Sequence, residues 1–295
     1  VQILPSVKSS YSYFGYSTSI GNSKIAVGAY GESIIDEDDV LTNAGVVYIF
    51  DLDGGNEVKI DMSSSNLTQR SEDYFGQSVA IFNNKVYIGV NGWNGAANNQ
   101  AQQGAVCVYD LSGNFEYSIQ ASDAAASDRF GFSVAAGNGK VVIGALGETS
   151  STGAVYVYDA ADGANEVKFA HAGPSTGDQF GYGVCVGDNK IGVFSPNMTV
   201  GGNAARGGAW VFDLDGTNEV ELAPVAGGDG GGAAGIKFGS SMTIDNGKVA
   251  VGAPNDQLSS GGVATQGLVF LYDLDGTNGL IESEFDANVE DLFGS

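Results

Sequence analysis

Histidine is almost missing from this chain: His171 is the only one in 295 residues, and cysteine occurs twice, at Cys107 and Cys185. A single imidazole leaves little material for histidine-based acid–base chemistry or for a His/Cys zinc site. Each cysteine sits inside an apolar, strand-like run, so no disulfide framework is readable. Basic side chains are scarce as well, 12 Lys and Arg against 35 Asp and Glu, for a net charge of −23. Charged residues are only 16% of the chain, below the roughly 25% usual for soluble domains. The acidity therefore reflects a shortage of cations rather than a crowd of carboxylates. Such a balance repels nucleic-acid phosphates and anionic lipid, and nucleic acid is not expected as a partner. No apolar run approaches the roughly 18 residues that span a bilayer, so direct membrane insertion is not expected. Proline is limited to 5 positions, whereas Gly fills 46 and apolar residues make up 43%, with 15 Phe, 13 Tyr and 2 Trp. That content can bury a sizeable core and argues against disorder.

A repeat organises the chain. Phe-Gly recurs at Phe14-Gly15, Phe75-Gly76, Phe130-Gly131, Phe180-Gly181, Phe238-Gly239 and Phe293-Gly294, at intervals of 50 to 61 residues. Ten residues after each of the first five Phe stands Lys24, Lys85, Lys140, Lys190 or Lys248. Four further on comes Gly28, Gly89, Gly144 or Gly252, with Phe194 the lone departure. A second block places Gly45, Gly104, Gly153, Gly207 and Gly267 six residues before Asp51, Asp110, Asp159, Asp213 and Asp273. Rigid spacing inside blocks and free spacing between them means strands alternating with loops.

Within the blocks, pieces such as Lys140-Val141-Val142-Ile143 and Ala154-Val155-Tyr156-Val157-Tyr158 are β-branched and aromatic and too short for helices. Each Lys follows a two-residue turn: Asn22-Ser23, Asn83-Asn84, Asn138-Gly139, Asp188-Asn189 or Asn246-Gly247. Those residues tolerate the positive φ that tight hairpins demand. A second hairpin follows at Asp51-Leu52-Asp53-Gly54 and its copies, so each repeat is four antiparallel strands. The strands are apolar on both faces and need cover on both sides. The predicted fold is all-β, a β-propeller of four-stranded antiparallel blades. Blades are expected at about 10–60, 70–120, 126–170, 176–223 and 234–283, with a partial repeat at 284–295, in one domain spanning 1–295. The Phe is expected to wedge between blades, and the Gly to permit close backbone approach. Both ends cut a repeat, which favours an excerpt of a longer array over termini that cooperate in closing a ring. The short turns should share one face and the long, variable loops the opposite one, which is the better place for binding residues.

These motifs resemble the FG-GAP repeats of integrin α-subunit heads and of many bacterial and viral surface proteins, with Val251-Gly252-Ala253-Pro254 the fullest copy. The wording of Asp213-Leu214-Asp215-Gly216-Thr217-Asn218 resembles repeat proteins of marine bacteriophages, which are virion structural or tail-associated. The resemblance implies an extracellular or virion-surface location, alone or in a larger assembly. Integrin-type repeats hold calcium in an acidic loop between the first two strands. Here that place is a two-residue turn in all five copies, too short to wrap a cation needing about six to eight oxygens, so those sites are not carried over.

Several residues invite a binding role. The acidic run Glu32, Asp36, Glu37, Asp38 and Asp39 falls on the first long loop, where a solvated segment is the simpler reading than a cation site or a basic-partner contact. Trp93, in Asn91-Gly92-Trp93-Asn94-Gly95, either stacks on a sugar or anchors a protein, or folds back over a blade edge. Arg206 is a further candidate. Asp51, Asp53, Asp213, Asp215, Asp273 and Asp275 superficially suggest calcium, but the spacing misses the EF-hand pattern and turn chemistry explains them. No cofactor is expected. Asp73, Asp128, Asp178 and Asp291, each two residues before Phe, read as loop caps. Gly228, Gly230, Gly231 and Gly232 lack the Lys-Ser/Thr of a phosphate loop. No nucleophile–base set appears, so the reading is a non-enzymatic structural and interaction module whose partner is a protein or glycan on a cell or virion surface. The alternatives are a carbohydrate-active enzyme (lyase or hydrolase) with two loop carboxylates, or a lectin with equivalent aromatic residues in several blades.

Overall fold

A computed structural model describes residues 2–6, 9–36, 39–95, 101–200, 202–224, 235–256 and 267–282. The sixth Phe-Gly, Asp291, the partial repeat at 284–295, Glu37, Asp38 and the Gly228–Gly232 loop lie outside the described residues. The chain divides into two compact units, residues 1–148 with 158–166, and residues 149–157 with 167–295.

In the first repeat, β1 (Ser17–Gly21) and β2 (Lys24–Ala29) form a hairpin. A separate small hairpin, β3 (Ile34–Asp36) and β4 (Asp39–Leu41), precedes β5 (Val46–Asp51) and β6 (Val58–Ile60). The second repeat holds β7 (Val79–Phe82), β8 (Lys85–Val90), β9 (Ala105–Asp110) and β10 (Phe115–Ile119). The third holds β11 (Phe130–Gly137), β12 (Lys140–Ala145), β13 (Ala154–Asp159) and β14 (Val167–Phe169). The fourth comprises β15 (Gly183–Gly187), β16 (Lys190–Ser195), β17 (Gly208–Asp213) and β18 (Val220–Leu222). The fifth comprises β19 (Ser241–Asp245), β20 (Lys248–Ala253), β21 (Leu268–Asp273) and β22 (Leu280–Glu282). Each repeat is one four-stranded antiparallel sheet with its strands in chain order, apart from the inserted β3–β4 pair. Among the described residues, helix is limited to single turns at Met62–Ser64 and Glu148–Ser151. The fold is all-β, built of β-propeller blades.

The turns explain the hairpins. Asn22 and Ser23 (φ 50° and 59°), Asn138 and Gly139 (53° and 79°) and the three equivalent pairs all have positive φ at both positions. That geometry matches the natural twist of paired strands. Each Lys that follows then stands opposite the Asp closing the third strand, as in Lys24↔Asp51, Lys190↔Asp213 and Lys248↔Asp273. The third strands β5, β9 and β17 are buried throughout except at that last Asp.

Within the first unit, Phe75 is fully buried in a cluster joining Val47, Ile49 and Ile60 of the first sheet to Val86, Ile88 and Tyr109 of the second. Its ring meets Tyr109 edge-on at 6.0 Å. This is the wedge that the sequence implies, and burying such a ring contributes about 1.5–3 kcal/mol. The following Gly does the second job. A Cβ on Gly28 would stand 2.0 Å from the Gly76 carbonyl oxygen, and one on Gly89 2.1 Å from that of Gly131. Ser17 and Ser78 each donate to those same carbonyls at 2.8 Å. In the second unit Phe238 wedges likewise between Val211 and Leu222 on one side and Val251 and Phe270 on the other.

The Phe194 departure has a structural reason. In other repeats this site faces a serine, as in Ser17↔Gly28, Ser133↔Gly144 and Ser241↔Gly252. In the fourth it is Gly183↔Phe194. A Cβ on Gly183 would lie 2.0 Å from the Phe194 ring. Large and small residues have changed places across the pair.

Candidate recognition site

The loop between the second and third strands is pinched shut at its base in four repeats. Glu32 donates its N–H to the Ala29 carbonyl (3.0 Å), and its own carbonyl accepts from Gly45 N (2.9 Å). Trp93, Met198 and Asp256 make the same two bonds, to Val90 and Gly104, Ser195 and Gly207, and Ala253 and Gly267. Three of these four neck residues, Glu32, Trp93 and Asp256, are buried, and Met198 is half-buried. Glu32 is 3% exposed, not part of a solvated acidic surface: its carboxylate accepts from Tyr48 Oη at 2.9 Å and pairs with Lys59 Nζ at 2.8 Å. Burial, and then this carboxylate, pushes the Tyr48 hydroxyl well above its ordinary value. Trp93 is 1% exposed, which is the fold-back arrangement. It occupies one cluster with Cys107, the small residue that replaces Tyr48 and Tyr156 of other repeats.

The remaining candidates are scattered. Asp36 ends β3 and Asp39 begins β4 as an exposed residue. Arg206 is half-buried in the second unit, its carbonyl accepting from Phe238 N at 3.0 Å. The turn aspartates act as caps. Asp51, Asp213 and Asp273 each bind a Lys ammonium through Oδ1 and an Asn amide through Oδ2, from Asn56, Asn218 and Asn278. The lysine, then the asparagine, holds these carboxyls below the usual range. Asp53, Asp215 and Asp275 accept the N–H two residues on, at 2.9, 3.0 and 3.0 Å. An ammonium beside each first aspartate is the wrong neighbour for a cation site. Among the described residues no three His, Cys, Asp or Glu gather as metal ligands.

The buried aspartates before Phe also cap. Asp128 and Asp178 accept from the N–H of Ala125 and Ser175, both at 2.6 Å, and Asp73 accepts from Arg70 N. His171 is buried against Trp210, and its Nε2 lies 3.2 Å from Asp178 Oδ2.

What does face outward together is a set of tyrosines in the first unit. The residue before each of the five described Phe-Gly pairs adopts left-handed backbone: Tyr13 (φ 53°), Tyr74 (56°), Arg129 (54°), Gln179 (55°) and Lys237 (56°). Left-handed backbone costs a non-glycine residue about 1 kcal/mol or more. The neighbouring repeat sustains it, since Tyr74 N donates to Asn43 O and Arg129 N to Gln102 O, at 3.1 and 2.9 Å. Tyr13 stacks on Tyr30 at 5.0 Å and 4°, Tyr16 meets Tyr30 edge-on at 4.6 Å, and Tyr74 lies 5.9 Å beyond. Tyr13 and Tyr16 are 53% and 56% exposed. This row borders an open depression of about 290 Å³ lined by Tyr30, Tyr74, Gln77, Asn91, Gln102 and Arg129, with Phe132. Gln102 Oε1 accepts from both Nε and Nη2 of Arg129 at 3.2 Å, fixing the guanidinium. Burial, with neighbouring tyrosines adding to it, raises the Tyr30 hydroxyl, and burial raises that of Tyr74, so both stay protonated. The signal for this site in the sequence is the aromatic residue just before Phe-Gly at Tyr13 and Tyr74 and two after the Phe at Tyr16, Phe132 and Tyr182.

Blades of this construction, with pinned loops and an outward aromatic row, define a repeat scaffold of the β-propeller class. The family model described as the FG-GAP repeat matches residues 1–50 and 114–158, supporting the likeness drawn from the Phe-Gly blocks. No curated protein matches the chain.

Proposed function

We propose that the chain is a non-enzymatic recognition module, carried on a cell or virion surface, that holds a protein or glycan partner against the tyrosine row of its first unit. The observation that supports this reading is the row itself. Four aromatic rings, two of them more than half exposed, stand on hydrogen-bonded backbone beside a depression that, among the described residues, no carboxylate lines. Tyrosine gives a large contact area at small conformational cost, which suits a binding face. A glycoside hydrolase or lyase would need two acidic groups in that cleft, and the acidic side chains at Glu32 and Asp73 point inward instead.

The test is adhesion of labelled protein to candidate host cells, comparing wild type with Tyr13→Ala/Tyr16→Ala. Both residues are exposed, so the fold should survive. Bound protein is expected to fall at least tenfold with the urea midpoint unchanged. Undiminished adhesion by the double variant would move the site elsewhere. Release of reducing ends or unsaturated sugars from a polysaccharide panel would replace this reading with the enzymatic one.

A further inference from the structure

The depression beside the tyrosine row contains an unsatisfied group. Asn91 is 4% exposed and lines the depression, and among the described residues its buried Oδ1 has no hydrogen-bond partner. Buried polar atoms are almost always paired, and an orphaned acceptor marks a place where a donor belongs. The groups around it say what kind of donor. Gln77 and Gln102 present amides and Tyr30 and Tyr74 present protonated hydroxyls. Arg129 has a guanidinium with two of its N–H groups already spent on Gln102. Among the described residues no aliphatic side chain lines the depression, whereas a pocket for a protein anchor residue is apolar.

We infer that this depression binds one uncharged pyranose ring, its hydroxyls meeting the amides of Asn91 and Gln77 and its C–H face turned toward the tyrosine row. The inference rests on the recognition reading above and gives its partner a chemical class. A hydroxyl both donates and accepts, which matches a lining of amides, phenols and one guanidinium. The volume, about 290 Å³, lies at the small end of ligand sites, suited to one ring with room for the start of the next. An acidic sugar is the weaker fit, since the chain as a whole carries −23 and the Arg129 fork already has an acceptor. The exposed Tyr13 and Tyr16 would continue the platform along an oligosaccharide.

Saturation-transfer NMR and titration calorimetry on the full chain test this with a panel of glucose, galactose, mannose and N-acetylglucosamine, their disaccharides, and glucuronate. At least one neutral sugar is expected to bind, with a dissociation constant of about 1 mM or below for such a small ligand. Asn91→Ala and Tyr30→Ala should each weaken it at least tenfold. Gln77→Ala, at a half-exposed position where folding is not at stake, should weaken it about threefold. Saturable binding of glucuronate alone, no binding by any neutral sugar, or wild-type affinity in both Asn91→Ala and Gln77→Ala would overturn the inference. If sugars fail while adhesion still depends on Tyr13 and Tyr16, the recognition reading stands and its partner is a protein. If adhesion fails too, both readings fall.

Discussion

Replacing Gly89 with alanine probes the contact that spaces one blade from the next. The added Cβ would stand 2.1 Å from the Gly131 carbonyl oxygen and 2.2 Å from Ser78 Oγ. Serine can rotate away, giving up its 2.8 Å bond to that carbonyl, a loss of about 1 kcal/mol. The carbonyl belongs to the backbone of the next repeat, and ordinary contact requires the two strands to part by more than 1 Å. Overpacking of this kind costs about 1–3 kcal/mol, and more where backbone must move. The expected total is about 3–4 kcal/mol. Gly139→Ala is the internal comparison: φ is +79° and nothing lies within 4 Å of the new methyl, so only the left-handed penalty of about 1–2 kcal/mol applies. Urea unfolding followed by tryptophan fluorescence and circular dichroism reads both variants. Gly89→Ala should lower the midpoint at least twice as far as Gly139→Ala. In the Ser78→Ala background Gly89→Ala should cost about 1 kcal/mol less, because the serine bond is already gone. Equal midpoints for the two glycine variants would refute the argument that backbone, rather than a mobile side chain, fills the space.

Burial pushes the carboxyl of Asp73, which is fully enclosed, up to about 7. A folded-state value above the unfolded one, near 4, means its contribution is fully present below pH 4 and is lost as pH rises through 7. Asp73→Asn should therefore flatten the fall in urea midpoint between pH 5 and 8 and be the more stable protein at pH 8; a wild-type slope in the variant would refute this. The surface carboxyls Asp51, Asp213 and Asp273, held low by their lysines, act with the opposite sign, losing their contribution only as pH falls below about 4. Cys107 is fully buried and its thiol is pushed up to about 12 by desolvation, so a thiol reagent should leave it unmodified until urea unfolds the protein; rapid labelling of the native chain at Cys107 would contradict the packing. Trp93 and Trp210, 1% and 2% exposed, should give blue-shifted emission resistant to acrylamide, and sugar binding should leave that emission unchanged.

Much of the scaffold was legible because it depends on local chemistry. Asn-Ser, Asn-Asn and Asn-Gly before a lysine dictate a tight hairpin wherever they occur, and the structure has both φ angles positive in every copy. Aspartate two residues before Phe reads as a cap because its carboxylate reaches an N–H three residues back. The loop residues were legible only in part. Glu32 lies among acidic neighbours, yet its environment is set by Gly45, thirteen positions on, which closes the loop neck and turns the carboxylate toward Tyr48 and Lys59. Trp93 sits among Asn and Gly, yet it is buried in one cluster with Cys107, a small residue where the first and third repeats have Tyr48 and Tyr156. In both cases the partner is distant in sequence and ordinary in type, so local composition points toward solvent.

The fourth repeat shows when a distant partner does become readable. Phe194 breaks the glycine rule, and read alone it is an unexplained exception. Read against the register of the hairpin, its partner Gly183 breaks the serine rule at the same rung. A repeat protein carries its own comparison set, so two departures on one rung are stronger than either alone. This has a measurable consequence. Phe194→Gly should destabilise by removing a partly buried ring, and Gly183→Ser alone should destabilise by driving a side chain into that ring 2.0 Å away. Together they recreate the Ser–Gly pair of the other repeats, and the double variant should be more stable than the sum of the single losses by about 1 kcal/mol or more. Simple additivity in urea unfolding would mean that the two positions do not share the space, and that the match between them is accidental.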